Sequence, residues 1–216
     1  MPQMRQLRSN DWLFVMTSQI SNLVGSRSEG WRGQSQKLSA KQKNGLVIVY
    51  YGNGKGKTTT AVGLAIRAAG RGLKTKIIQF IKGPVESGEE IWLKSNLQIE
   101  IEKFGLGFVG ILGDKRKISE HQRTAQIALA QAASDLKDKK YDILILDEIL
   151  GAIKGNLIPL QSVLKLIKEK PPAKTLVLTG APKIDEIIKC SDLVSEIKKI
   201  KHPFDKGIQA IKGIDY

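Results

Sequence analysis

One cysteine, Cys190, and two histidines are all that the chain offers of the residues most used to staple or metallate small folds. A lone cysteine closes no internal disulfide, and no cysteine or histidine spacing here suits a zinc site. Long apolar runs are missing too. The longest, residues 46–51 and 143–146, fall far short of the roughly 20 residues that span a bilayer, so no membrane-crossing helix is expected. The apolar stretch at residues 12–16 is shorter than the core of an export signal, and Asp11 interrupts its approach. An unexported, cytoplasmic protein is the expectation. Acidic residues are also scarce: 21 Asp and Glu stand against 35 Lys and Arg, a net charge of +14. Such an excess suits an anionic partner. It is nevertheless spread along the chain, since residues 1–44 hold only seven of the basic residues against Asp11 and Glu29. A solvated basic surface fits this better than a nucleic-acid stripe.

What is present is ordinary for one folded domain: 216 residues, 41% hydrophobic and 26% charged. Residues 1–44 are rich in Ser, Gln, Arg and Gly without a sustained period, and read as a basic, flexible or loosely helical extension. From residue 45 to 216, short β-branched runs alternate with amphipathic stretches. That alternation predicts an α/β domain with a mostly parallel sheet of about six strands. The strands fall at 46–51, 76–81, 99–104, 142–147, 175–179 and 193–198, most of them apolar enough to be buried on both faces. Helices fall at 57–69, 118–137, 160–169 and 183–190, with Ile118, Ala125, Ala128, Leu129, Ala132 and Leu136 on one face of the second. His121 on that helix reads as a surface residue. Gly70 and Gly72 are placed to end the first helix, and Pro171 and Pro172 the third.

Between the first strand and the first helix lies GNGKGKTT, residues 52–59. Glycines let successive backbone N–H groups turn inward, and a helix N-terminus adds positive potential, so this order builds a cradle for phosphate. Gly52, Asn53, Gly54, Lys55, Gly56, Lys57, Thr58 and Thr59 are the candidate nucleotide contacts, most simply to the triphosphate of ATP. Lys57 is placed to reach phosphate oxygens, Lys55 adds a second charge, and the Thr58 hydroxyl is placed to ligate Mg²⁺ or Mn²⁺. The usual pattern has glycine where this chain has Tyr51, so the loop is one residue tighter than usual. A later strand ends in Asp147 and Glu148, carboxylates of the kind that hold such a metal beside the loop. If the strand stays extended they point to opposite sides, and one of them touches the metal. These residues alone describe an ATPase of unspecified purpose or a nucleotide-dependent binding switch.

Further blocks narrow the reading. GLAIRAAG (63–70), QFIKG (79–83), SGE (87–89), FGLGF (104–108), LDE (146–148), TG (179–180), AP (181–182), SDLV (191–194), KHPF (201–204), GI (207–208) and KGI (212–214) follow the loop in order. Together with it they resemble the ATP:corrinoid adenosyltransferases, the BtuR/CobA/CobO-type family. The resemblance implies a phosphate-loop, RecA-like three-layer fold. It also implies transfer of the 5′-deoxyadenosyl group of ATP to the cobalt(I) of a reduced corrinoid, with triphosphate leaving. Lys57 and Thr58 then act on the triphosphate, and Phe108 matches an aromatic that packs under the corrin ring and displaces its lower axial ligand. Arg67 matches a family arginine that approaches phosphate or a partner subunit. A homodimer, and a reductant protein such as a flavodoxin or flavin reductase, are implied partners. The chain departs from its relatives at Gly110, where many carry Trp, and between Gly180 and Ala181, where relatives insert about two residues. The rival reading is a RecA-like, nucleic-acid-stimulated ATPase with Glu148 as the water-activating base.

Overall fold

In a computed structural model, residues 44–83, 86–107, 109 and 114–216 are described. Residues 1–43 of the expected extension, and Phe108 and Gly110, lie outside them. Six strands form one sheet: β1 (Val47–Tyr51), β2 (Thr75–Gln79), β3 (Ile99–Lys103), β4 (Ile143–Asp147), β5 (Thr175–Gly180) and β6 (Leu193–Glu196). Their order is β3-β2-β4-β5-β1-β6, and every pairing is parallel. Parallel neighbours require crossovers, and the helices supply them: α1 (Lys57–Ala69), α2 (Gly88–Leu93), α3 (Ile118–Lys137), α4 (Ile149–Lys154), α5 (Leu160–Lys168) and α6 (Asp185–Lys189). A 3₁₀ turn at Pro203–Lys206 follows β6.

The two-residue period of the strands divides the core into two layers. Ile48, Ile77, Ile143, Ile145 and Val177 pack on one face against Ala61, Val62, Ala65 and Ala68 of α1 and Leu93 of α2. Val47, Val49, Ile78, Leu144, Leu146, Leu176 and Leu178 point the other way, into α3, α4, α5 and Ile187 of α6. This is the expected three-layer α/β arrangement. Each fully buried Leu or Ile contributes roughly 1.5–3 kcal/mol by leaving water, and the central strands β2, β4 and β5 hold most of them. β6 is different, with Leu193 and Val194 largely exposed at the sheet edge. The expectation of strands buried on both faces holds for the centre and fails at this edge.

Helix boundaries follow the sequence signals closely. α1 spans 57–69 as expected, and Gly72, at φ +77, supplies the left-handed turn beyond it. α3 buries Ala125, Ala128, Ala132 and Leu136 as the periodicity requires. Its buried face begins with His121, contrary to the surface position expected. His121 is 2% exposed because it lies four residues before Ala125 on the same stripe, and its Nε2 meets Asp114 Oδ2 at 2.9 Å. Ile118, the first residue of the helix, is half exposed instead. The short helices α2 and α4 had no clear periodic signature, since six residues give less than two turns to read.

One glycine fixes how α4 lies over β5. Gly180 ends β5 at φ +153, and a Cβ there would come within 2.6 Å of Leu150 Cβ and 2.9 Å of the Gly151 amide. Gly180→Ala is therefore expected to lower stability by about 2 kcal/mol or more, through overpacking and backbone strain together. Urea unfolding followed by circular dichroism checks this, with the midpoint moving to lower denaturant at unchanged slope.

Candidate functional site

A parallel sheet gathers the carboxyl ends of its strands on one edge, and ligands bind in the crevices there. β1 runs out at Tyr51 into the glycine loop. Gly52 takes φ +120 and lies so close to the chain beyond β6 that a Cβ would come within 2.4 Å of the Ile197 carbonyl oxygen. The contacts are backbone hydrogen bonds. Ile197 N donates to Tyr51 O at 2.7 Å, Gly54 N donates to Ile197 O at 2.8 Å, and Gly52 N donates to Ala181 O at 3.2 Å. Lys199 N donates to the Asn53 side chain at 2.9 Å. The first half of the loop is thus braced against its neighbours. Gly52, Asn53 and Gly54, expected as direct nucleotide contacts, do not line the cavity beside the loop. Two of their amides are already engaged with backbone carbonyls.

The second half of the loop does line it. A cavity of about 440 Å³ is walled by Lys55, Gly56, Lys57, Thr58 and Thr59 on one side. Lys82, Gly88, Glu89 and Glu148 face them, and Gly213, Ile214, Asp215 and Tyr216 complete the wall. Gly56 opens α1 in the left-handed region at φ 113, which only glycine adopts without strain, and so turns the helix start toward the cavity. No side-chain cap satisfies that N-terminus. Its free N–H groups and the positive end of the helix suit an anion. Lys57 folds back over the loop, its Nζ donating to Gly54 O at 2.9 Å.

Asp147 ends β4 at the root of this cavity, 1% exposed. Thr58 Oγ1 donates to its Oδ1 at 2.9 Å, Thr179 Oγ1 to the same oxygen at 2.8 Å, and Gln79 Nε2 to Oδ2 at 3.1 Å. The loop threonine and the strand-end aspartate are thus bonded directly to one another. Gln79 and Thr179, the last residue of β2 and the penultimate one of β5, had no assigned role from the sequence. The signal was available, since both stand in the blocks that carry the family resemblance. Gln79 Oε1 is buried in this network without a partner among the described residues.

Glu148 does not continue the strand. It takes φ 61, its N–H donates to Thr179 Oγ1 at 2.9 Å, and α4 starts immediately after it. The turn brings its carboxylate to the cavity wall instead of the opposite sheet face expected from an extended strand. Burial first, then the adjacent Asp147 charge, raise its pKa, while Lys57 and Lys82 pull it down. Lys82, like Asp215, is a cavity residue with no role assigned from the sequence. Its Nζ meets Glu89 Oε1 at 2.7 Å. Burial alone would raise the Glu89 carboxyl, but the bond from Lys82, with the Glu89 backbone amide behind it, holds it below the usual range.

Lys55 pairs with Asp215 at 2.6 Å. Arg67 is exposed in the last turn of α1, about 15 Å along the helix from Lys57 at the usual rise, and does not line the cavity. His202 caps the 3₁₀ turn, its Nδ1 accepting from Phe204 N at 3.2 Å, in keeping with a structural residue. Among the described residues no helix is long and apolar enough to cross a membrane, and no cluster of three or more His, Cys, Asp or Glu is placed to hold a metal.

A strand, a glycine loop braced from behind, a helix start and a buried aspartate bonded to the loop threonine define a phosphate-loop nucleotide-binding protein of α/β class. Residues 43–216 match the family of ATP:corrinoid adenosyltransferases, BtuR/CobO/CobP. The chain belongs to that family and is a transferase, so the nucleic-acid-stimulated ATPase is not favoured. It is 35% identical over 177 residues to the corrinoid adenosyltransferase of Escherichia coli strain K12, covering 82% of this chain and 88% of that protein. It is 34% identical over 186 residues to the corrinoid adenosyltransferase CobA of Salmonella typhimurium strain LT2, covering 86% and 92%. The corrinoid adenosyltransferase of Pseudomonas aeruginosa is 34% identical over 179 residues, covering 82% and 86%.

The raised pKa of Glu148 makes a statement about stability. A carboxyl raised on folding favours the folded state while protonated and opposes it once ionised, so its contribution is lost as pH climbs from about 4.5 through the folded value. Glu148→Gln, which cannot ionise, is expected to raise Tm by a few degrees near neutral pH. The gain should shrink as the buffer is taken below that window, as read by scanning calorimetry.

Proposed function

We propose that the cavity beside residues 55–59 holds the triphosphate of ATP while a reduced corrinoid attacks the nucleoside end. In that reaction cobalt(I) supplies the electron pair. A cobalt–carbon bond forms at C5′, the bond from C5′ to the α-phosphate oxygen breaks, and triphosphate leaves with the bonding pair. Cobalt passes formally from the +1 to the +3 state, so electrons balance without a further oxidant. The nucleophile belongs to the substrate, and the protein's task is to orient ATP, offset developing charge and keep water out.

The observation that carries this is the Thr58–Asp147 hydrogen bond at 2.9 Å below a wall that also holds Lys57 and Lys82. Lys57 and Lys82 lie where the leaving triphosphate gains charge. The N–H groups at the start of α1 are free to receive its oxygens. Gly52, Asn53 and Gly54 shape this half of the loop from behind. Glu148, on the same wall, feels the charge of both lysines.

A magnesium ion fits this site by its donor chemistry. Thr58 and Asp147 present hard oxygens, the three hydrogen-bond donors to Asp147 are neutral, and Gln79 Oε1 is an unspent acceptor beside them. Thr58 and Asp147 would hold the ion, with Glu148 near enough on the wall to act through water. When bound it would screen the charge of the triphosphate.

For the corrinoid side, Phe108 is the proposed wedge beneath the ring. A basic extension at residues 1–44, a homodimer, a cytoplasmic setting and a flavodoxin or flavin reductase as electron donor complete the reading. The substrate is cobalamin or an earlier cobyrinic acid a,c-diamide.

Incubation with Mg·ATP and chemically reduced cobalamin tests it, following the corrinoid absorbance and the phosphate product. Adenosylated corrinoid with inorganic triphosphate is expected, whereas ADP without adenosylated corrinoid would overturn the assignment. Lys57→Ala should lower kcat/KM for ATP by roughly a hundredfold or more, the scale of losing one charged contact to a leaving group. Phe108→Ala should leave ATP binding intact and slow the corrinoid half of the reaction, seen as a fall in rate at saturating ATP.

A further inference from the structure

The wall formed by residues 213–216 has no assigned part in the chemistry, and it differs in kind from the rest of the cavity. Lysines, carboxylates, hydroxyls and glycines make up the loop side and the facing side. Ile214 and Tyr216 are the large apolar and aromatic side chains of the lining. A triphosphate needs charge and N–H groups, and a nucleoside needs a flat apolar surface with a polar edge.

The segment carrying these two residues is tightly built. Asp215 N donates to Ile211 O at 2.8 Å, Ile211 N returns a bond to Asp215 Oδ2 at 2.8 Å, and Ile214 N donates to Ile211 O at 3.0 Å. Gly213, at φ +79, closes the turn, and its N–H donates to Tyr216 O at 2.8 Å. One charged contact ties this turn to the phosphate loop: Lys55 Nζ to Asp215 Oδ1 at 2.6 Å. The Ile211 amide, and after it Lys55, hold the Asp215 carboxyl below its usual range. Behind the pair, Ile208, Ile211 and Ile214 line a smaller apolar recess with Phe204, which backs the turn against the 3₁₀ segment.

We propose that residues 211–216 form the nucleoside-binding wall of the ATP site, with Ile214 and Tyr216 facing the nucleoside. The Lys55–Asp215 ion pair is the contact that holds this wall over the cavity. Lys55 is then a positioning residue acting through Asp215. That differs from the second triphosphate-binding charge expected of it. The proposal rests on the reading of the cavity as the ATP site.

The test removes the pair without changing net charge, in Lys55→Met/Asp215→Asn, and compares two ligands by calorimetry: Mg·ATP and inorganic triphosphate. Loss of the wall should weaken ATP about fivefold, the scale of a partly shielded ion pair, while triphosphate changes by less than about twofold. Asp215→Glu should recover most of the ATP affinity. Equal weakening of both ligands would mean that Lys55 serves the phosphates directly, and would overturn the proposal. So would ATP affinity left unchanged by the double variant.

Hydrogen exchange of residues 211–216 supplies a readout that needs no ligand. The double variant should exchange faster there and unchanged in β4 and β5, and protection equal to the parent chain would also count against the wall's dependence on the pair. If the parent chain binds neither ligand, the assignment of the cavity fails, whereas faster exchange in the variant would still show the latch.

Discussion

The buried carboxylate of Asp147 is the constraint on which the rest of the site hangs. A carboxylate with 1% exposure is costly unless its lone pairs are filled. Here three donors fill them, and each comes from a different element: Thr58 from α1, Gln79 from β2 and Thr179 from β5. Satisfying this one group therefore aligns the helix that follows the glycine loop with the ends of three neighbouring strands. Gln79 and Thr179 are themselves fully buried, so little freedom remains in how those strand ends sit. The loop threonine faces the cavity because the aspartate holds it there.

Around this hydrogen-bonded root the cavity carries its charges in pairs. Lys82 meets Glu89, Lys55 meets Asp215, and Lys57 rests on the Gly54 carbonyl within the influence of Glu148. Pairing lets several lysines converge on one cavity without forcing one another apart. A triphosphate entering such a site competes with weak, partly solvated partners for those cations. The site can thus offer three lysines to a ligand while its charges stay balanced in the folded chain.

Much of this was legible in the sequence, and the reasons are local. The glycine loop announces itself because only glycine tolerates φ +113 at residue 56, and the strand before it and helix after it have clear periods. Asp147 was legible because an apolar run that stops in an acid marks a strand end. The turn at Glu148 was not legible, since nothing in a single letter reveals that the chain goes left-handed there. His121 was misjudged for a related reason: a polar letter on an otherwise apolar stripe hides its buried partner, Asp114, seven residues earlier. Lys82 and Asp215 were invisible as cavity residues: Lys82 meets Glu89 in the first turn of the short, unperiodic α2, and Asp215 meets Lys55 across the fold. The bracing of Gly52 and Gly54 against Ile197 was equally hidden, being a backbone contact across about 145 positions.

The all-parallel sheet has a consequence for how the protein can vary. Every strand delivers its carboxyl end to the edge where Asp147, Thr179 and the glycine loop meet. The amino ends collect on the opposite edge, where Lys74, Asp142, Pro172 and Gly45 are stitched together by main-chain bonds and Lys170 reaches the carbonyls of Gly45 and Lys174. None of these residues lines the cavity beside the loop. A substitution at Lys170 or Asp142 therefore acts first on how the strands are held together, and reaches the cavity only through the sheet.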